Sequence, residues 1–587
     1  MRMKNSFYLF LLILAIGVST SCEDGNFLDE TVTTDLDIDV VFSDSTYTVG
    51  FLSEIYRDTD FDTDPGRFSD AYNRYGGLQN ACDETEYRAS STITSDVMFA
   101  RGTVNPVVIS ADAWEKTYRN IRRVNVFLKN VDRSPLSDGL KKTYKAEARF
   151  LRAWYYHILV KHYGGVPLIG DVVYQDQEEI KPIRDTFADC INYIVSECDA
   201  VAPDLIVKPT GRNYGRVGAG ACKALKSRML LYAASKLYNG SDYAPEGFQK
   251  ELLGYPTYDK ERWKTAMDAA LSVIQLNAYS LYVDNDDESG RAYYRIFVAA
   301  DWASEGSTKG TIFEYQRQKG FHHQQLFNPP SRGGGGGGYP YQDLVDAYPM
   351  KDGSKFDWNN PMHTANPYLN RDPRFKNTIV HDQTPVQDGG TENVPVNIYL
   401  NENGTPSSQD AVYTGTPTGY YICKLTHRAT AANWVAAPTQ ARPLMRYAEI
   451  LLNFAEAANE YSGPSQEIYD CLTAIRERAG IVDAVGNGLY GLKANMNQDE
   501  MRQAIRDERR IELAIEGFRF WDVRRWMIAE ETAAKTMTGL EVRRVGNTKT
   551  YTKFDIRPQV FRKAMYFWPI PNSEITKSPD LIQNPYY

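Results

Sequence analysis

Apolar residues recur at helical spacing over two long stretches of the chain. From Ala113, AWEKTYRNIRRVNVFLKNV puts Trp114, Tyr118, Ile121 and Leu128 on one face, with Asn125 in the remaining slot, which predicts an amphipathic helix. GLKKTYKAEARFLRAWYYHILVKHYGG follows, with a stripe of Tyr144, Ala148, Leu151, Tyr155 and Leu159 closed by Gly164 and Gly165. A third helix carries Phe187, Ile191, Ile194, Cys198 and Val201, with Thr186 and Asp189 placed to cap it. A fourth, GRVGAGACKALKSRMLLYAASKLY, is rich in small residues that allow close helix contact, and a fifth shows Trp263, Met267, Ala270 and Ile274. Near the other end, Pro443 opens LMRYAEILLNFAEAANEY, with Leu444, Ala448, Leu451, Ala455 and Ala458 on one face, and Ile468, Leu472, Ile475 and Ala479 follow.

Two such helices occupy about 35 residues, the length of a tetratricopeptide unit. AEARFLRA and NFAEAANE have its small-residue texture without its full consensus. Each pair exposes an apolar face that only a neighbouring pair can cover, so the pairs are expected to stack into a curved scaffold. Between about Asp284 and Arg442 the periodicity fades and Gly, Pro, Asn, Asp and Tyr take over, as in SRGGGGGGYPYQD, NPYLNRDPRF and TGTPTGYYI. Long irregular loops that persist in a compact protein usually carry function. The ligand surface is therefore expected here and in the loop-rich segment from Asp58 to Pro106. The expected division is a helical part over 22–282 and a second part over 283–587: loop-rich to 442, helical over 443–530, then a tail.

Residues 1–21 stand apart from this pattern. Arg2 and Lys4 precede an apolar run from Phe7 to Ala15 that continues to Val18, followed by Ser19, Thr20 and Ser21, the layout of a secretory signal. A span needs roughly 20 apolar residues, so the run is too short to stay as an anchor. The arrangement resembles a bacterial lipoprotein signal in which Cys22 is acylated and becomes the new N-terminus, although Ser19 stands where such signals usually carry an aliphatic residue. A lipid on Cys22 would hold the chain at a bilayer through buried methylenes at roughly 0.8 kcal/mol each, and no later apolar run is long enough to cross one.

Composition narrows the chemistry. A net charge of -9 argues against a nucleic-acid partner. The six cysteines beyond Cys22 are too few for a disulfide scaffold and contain no CxxC pair, and Cys190 and Cys198 fall on one helix face as small core residues. The 40 tyrosines and 9 tryptophans beside only 7 histidines point to flat apolar surfaces for a ligand, with most of the rings in the core.

Catalytic motifs find little support. Glu508 and Glu512 lie one helical turn apart, about 6 Å, near the separation of glycosidase acids. They share a helix dense with Arg506, Arg509 and Arg510, so ion pairing is the expected role. His157 and His162 are five apart and do not share a helix face, and adjacent His322 and His323 are awkward joint ligands, so no metal site is expected. The hexaglycine Gly333–Gly338 lacks the Lys-Ser or Lys-Thr of a phosphate loop and reads as a flexible loop. No GxSxG nucleophile elbow is present.

Seven blocks in order carry a resemblance: CEDGNFLDE, WEKTYRNIRRVNVFL, AEARFLRAWYYHILVKHYGGVPLI, LVDAYPMKDGSKFD, RPLMRYAEILLNFAEAANE, IRDERRIELAIEGFRFWDVRRW and the closing YFWPIPNSEITKSPDLIQNPYY. Together they resemble the SusD/RagB family of outer-membrane lipoproteins. The resemblance implies a mainly α SusD-like fold, with four tetratricopeptide-like units cradling a loop-rich second part. It implies a non-enzymatic glycan-binding lipoprotein, with no cofactor and no metal, that partners a SusC-like TonB-dependent transporter. In similar surface lipoproteins, acids after the lipidated cysteine, here Glu23 and Asp24, accompany display on the cell exterior.

A glycan needs aromatic platforms for its C–H faces and polar groups for its hydroxyl rim. The expected binding residues are Asp83, Tyr87, Arg88, Trp302, Phe321, Tyr339, Tyr341, Trp358 and Trp434. Trp114, Trp154, Trp521 and Trp526 are expected in the core, and Asp522 with Arg525 as an internal ion pair. Two alternatives stand beside this reading: capture of a peptide or glycopeptide by the same fold, and a lipoprotein glycoside hydrolase.

Overall fold

The computed structural model describes residues 37–68, 76–87, 94–175, 178, 180–284, 288–298, 309–317, 320, 322–388, 391–428 and 440–587. Eight helices of 14 residues or more among them form the body. Asp112–Asn130 packs on Asp138–Tyr163, then Phe187–Val201, Ala219–Ala234 and Glu261–Ile274 follow, each against the one before it. Tyr447–Ser462 lies against Glu261–Ile274 and carries both Gln466–Ala479 and Gln498–Glu512. The two helical stretches of the sequence are thus one continuous stack, and the largest apolar cluster takes side chains from Phe42 to Leu581. No helix among the described residues is long and apolar enough to cross a membrane.

Local chemistry sets the helix ends. The Thr186 hydroxyl accepts from Asp189 N at 3.1 Å, as its spacing predicts, and Asn497 with Glu500 forms a reciprocal capping box. Gly164 closes the Asp138–Tyr163 helix at φ +80, where a Cβ would lie 2.3 Å from the Leu252 carbonyl oxygen. The polar slot at Asn125 is explained by burial: its side chain donates to Val172 O at 2.8 Å and accepts from Arg152 at 2.7 Å. Trp114, Trp154, Trp521 and Trp526 are all buried, as are Cys190 and Cys198. Each fully buried large apolar side chain contributes about 1.5–3 kcal/mol.

Three expectations about elements are corrected. The first of the two late helices begins at Tyr447 and not at Pro443, and Gln440–Arg446 before it is a strand. It pairs antiparallel with Thr311–Arg317, and the ladder slips beside Glu314, the residue opposite Pro443, which has no N–H to give. The tail after 530 contains the longest sheet of the described residues, the hairpin Thr536–Val545 with Thr548–Pro558, flanked in parallel by Leu400–Asn401. The hexaglycine is packed: Gly335 N and Gly337 N donate to Gln325 O and Leu326 O, each at 2.6 Å, and Gly337 O accepts from Asn80 at 3.1 Å. A Cβ on Gly334 would sit 1.5 Å from Asn328 O, so smallness for close approach is what this run supplies.

Buried ion pairs tie the layers together. Glu508 accepts from Arg374 at 2.6 Å and Arg476 at 2.8 Å, and Glu512 from Arg446 at 2.9 Å and Arg374 at 3.0 Å. Ion pairing is their role, but their partners come from other elements. Arg509 on their own helix reaches Asp522 at 2.8 Å, and Arg525 reaches the other Asp522 oxygen at 2.8 Å.

Candidate functional site

The segment Leu78–Tyr87 forms the base of the loop-rich face, and charge and hydrogen bonds fix it there. Asp83 is buried and accepts from Arg519 at 2.7 and 2.8 Å and from Arg510 at 3.0 Å. Burial opposes its charge, but the two guanidiniums outweigh burial and hold the carboxyl below the usual carboxylate range. Two residues on, Thr85–Glu86 pairs with Tyr339–Pro340. The Tyr341 hydroxyl donates to Glu86 at 2.8 Å and accepts from Arg557 at 2.9 Å. Arg557 also covers the Tyr87 ring at 4.8 Å, while Arg101 donates to the Tyr87 hydroxyl at 2.6 Å.

This arrangement corrects four expected ligand contacts. Asp83, Tyr87, Tyr339 and Tyr341 are each no more than 5% exposed, so they cannot offer a ring face or a carboxylate to a ligand. They brace the face from beneath. Trp358 is different: its indole N–H donates to both Asp346 oxygens at 2.9 and 3.0 Å, Lys553 sits 4.5 Å above the ring, and the ring stays partly exposed. Arg88, Trp302, Phe321, Trp434 and Cys22 lie outside the described residues.

The described flanks show how the strands order this face. Arg317 stands opposite Gln440 at one end of the Thr311–Arg317 and Gln440–Arg446 ladder. The described strand residue before the Phe321 segment and the described strand residue after the Trp434 segment therefore meet at the same end of one ladder.

Beside that ladder lies a cleft of about 670 Å³. Tyr56 and Arg57 come from the Ser45–Tyr56 helix and its exit, Tyr214 and Arg216 from a turn, and Glu314 and Tyr315 from the strand. The Tyr214 hydroxyl donates to Glu314 at 2.8 Å, and Gln316 donates to Tyr214 O at 3.4 Å. Gly215, at φ +85, lets the turn lie flat on the strand, because a Cβ there would meet the Gln316 amide at 2.6 Å. Tyr56 and Arg216 converge on Glu147, at 2.6 and 3.0 Å. Burial pushes the Glu314 carboxyl up to about 7, against the hydrogen bonds from Tyr214 and Gln316. Partly exposed tyrosine rings beside guanidinium, carboxylate and amide groups can take a ligand with an apolar face and a hydroxyl rim.

A paired-acid hydrolase site has no geometry here at the residues weighed for it. Glu508 and Glu512 are buried, and although burial raises a carboxyl pKa, Arg374 and Arg476 at the first and Arg478, Arg446 and Arg374 at the second lower both instead. A general acid needs the opposite shift.

Comparison with known proteins gives this geometry a family. A family model described as SusD family matches residues 296–587, and one described as starch-binding, associating with the outer membrane, matches residues 71–229. The chain belongs to the SusD/RagB family. SusD-like protein P38 of Formosa agariphila is 23% identical over 418 residues, covering 70% of this chain and 71% of that one. SusD-like protein P2 of the same organism is 33% identical over 140 residues, a match spanning 24% of each. A solved SusD-like protein from Bacteroides fragilis superposes with a TM-score of 0.73 at 26% identity, over 94% of this chain and 99% of that one. A SusD-like carbohydrate-binding protein from the same species gives 0.71 at 25%, over 92% and 99%. The mainly α, SusD-like architecture expected from the sequence is the one observed.

Within this SusD-family fold, sequence reasoning missed the cleft because its wall comes from three distant segments. Only the turn RNYGRVG carried a local signal, a tyrosine between two arginines ahead of two glycines. Its adjacency to Glu314 and Tyr315 is a product of the tertiary fold.

Proposed function

We propose that this chain is a glycan-capturing lipoprotein of the outer membrane, held by a lipid on Cys22, facing the cell exterior, and delivering its ligand to a SusC-like TonB-dependent transporter. The supporting observation is its likeness, at 25% identity over nearly the whole length of both chains, to a SusD-like carbohydrate-binding protein. The cleft adds a physical counterpart: tyrosine faces for C–H surfaces and Arg57, Arg216 and Gln316 for hydroxyls. Trp358, Arg88, Trp302, Phe321 and Trp434 remain proposed binding residues beside those of the cleft. The protein binds and does not cleave.

Affinity electrophoresis through gels containing a panel of soluble polysaccharides tests this reading. At least one polysaccharide is expected to retard the protein. Tyr315→Ala should weaken that retardation about tenfold, the equivalent of about 1.4 kcal/mol and the size of an aromatic contact. Trp358→Ala and Trp302→Ala should act in the same direction. Free migration in every gel, together with binding of peptides, would overturn it.

A further inference from the structure

We propose that Asp64, His322 and His323 form a divalent-metal site of the class that takes zinc. The two histidines open the short helix His322–Phe327, and Asp64 reaches them from the loop after the Ser45–Tyr56 helix. One donor atom from each of the three side chains lies within 4.8 Å of the others. The His322 Nε2 to Asp64 Oδ1 distance is 3.4 Å, and two ligands at zinc bond lengths of about 2.1 Å in a tetrahedral site are themselves about 3.4 Å apart. That edge of the site is already at the right length. The His323 ring lies 5.4 Å from that of His322, inclined at 57°, and brings the third donor nitrogen to within 4.8 Å of the other two donor atoms.

The surroundings favour a ligand set. Gly66 N donates to Asp64 Oδ1 at 2.8 Å and fixes the carboxylate, the outer-shell support that metal-binding carboxylates carry. Gly66 also leaves the space: a Cβ there would lie 2.9 Å from His322 Nε2. Two imidazoles and one carboxylate with an open position suit zinc and the neighbouring transition ions, and exclude magnesium and calcium, which prefer all-oxygen sites. His322 and Asp64 keep some exposure, so an ion has a route in and water or a ligand hydroxyl can complete its coordination. The sequence hid this site because Asp64 is 258 residues from His322. A bound ion would cross-link the loop before Phe68 to the helix that leads into the glycine run, stiffening the base of the loop-rich face.

The test uses the mature chain without an affinity tag, stripped with chelator and titrated with zinc chloride by calorimetry, with cobalt chloride as a visible-spectrum probe. One saturable site per chain, a raised Tm on metal addition reversed by chelator, and a cobalt spectrum with imidazole and carboxylate character are expected. His322→Ala and Asp64→Asn, both at partly exposed positions, should leave the metal-free Tm in place and weaken zinc binding by at least about tenfold. Absence of saturable binding, or zinc affinity unchanged in both variants, would overturn the proposal.

Discussion

At the scale of single residues, burial decides what each aromatic ring and carboxyl can do. Tyr341 and Tyr315 are both tyrosines in loop-rich text, yet the first is sealed beneath Arg557 and the second lines an open cleft. The difference comes from contacts hundreds of residues away, which no local pattern records. The helical tryptophans were readable because their spacing marks the buried face. Glu314 offers a residue-scale prediction. Its carboxyl, ordinarily near 4.5 and raised to about 7 by burial, binds more protons in the folded chain than in the unfolded one between those values, so stability falls as pH rises through that window. At 1.36 kcal/mol per unit the effect is about 3 kcal/mol. Thermal unfolding of the wild type and Glu314→Gln should show the variant gaining on the wild type between pH 5 and pH 7. Parallel curves would contradict the assignment.

Elements were legible where the period is long and missed where it is short. The helices around Trp114, Tyr155 and Leu451 each sustain a stripe over several turns. The Thr536–Pro558 hairpin was missed although TMTGLEVRRVGNTKTYTKFDIRP alternates on both sides of a Gly-Asn turn, because its outer strand is polar on most positions and lacks an apolar face. The strand Gln440–Arg446 was hidden by Pro443, which reads as a helix start and here tolerates a strand beside a bulge. The glycine run likewise reads as slack and is a packed connector. Gly334→Ala should therefore destabilise the protein by about 1–3 kcal/mol, the range for overpacking. Gly139→Ala, with nothing within 4 Å of its new methyl, should be neutral or stabilising by up to about 1 kcal/mol. Urea unfolding of the two variants decides this, and equal midpoints would contradict the packed connector.

On the scale of the whole molecule, the sequence shows two helical stretches, and the fold makes them one stack by laying Tyr447–Ser462 on Glu261–Ile274. The same helix is tied by charge to the Arg519–Arg525 helix, a link that lies beyond any periodicity. Glu456 accepts from Arg525 at 2.7 Å and from the Trp526 indole at 2.7 Å. Burial opposes its charge, but Arg525, Arg509 and the indole more than offset burial and hold its carboxyl at about 2. A depressed carboxylate stabilises the fold above its ordinary value near 4.5, and that stabilisation is lost as pH falls from there toward 2. Glu456→Gln should cost about 3 kcal/mol at pH 7 by leaving Asp522 alone to balance the buried Arg509 and Arg525, with the gap to the wild type narrowing below pH 4. A constant gap measured by denaturant unfolding across that range would assign the loss to packing.

The central claim is that a cleft and loop face on this helical stack hold a glycan and leave its bonds intact. Isothermal titration of the mature protein with oligosaccharides cut from a retarding polysaccharide tests it most directly. Saturable heats that return to baseline after each injection and shrink in Tyr315→Ala are expected. A sustained heat flow that continues until the sugar is consumed, or no heat from any glycan, would contradict it.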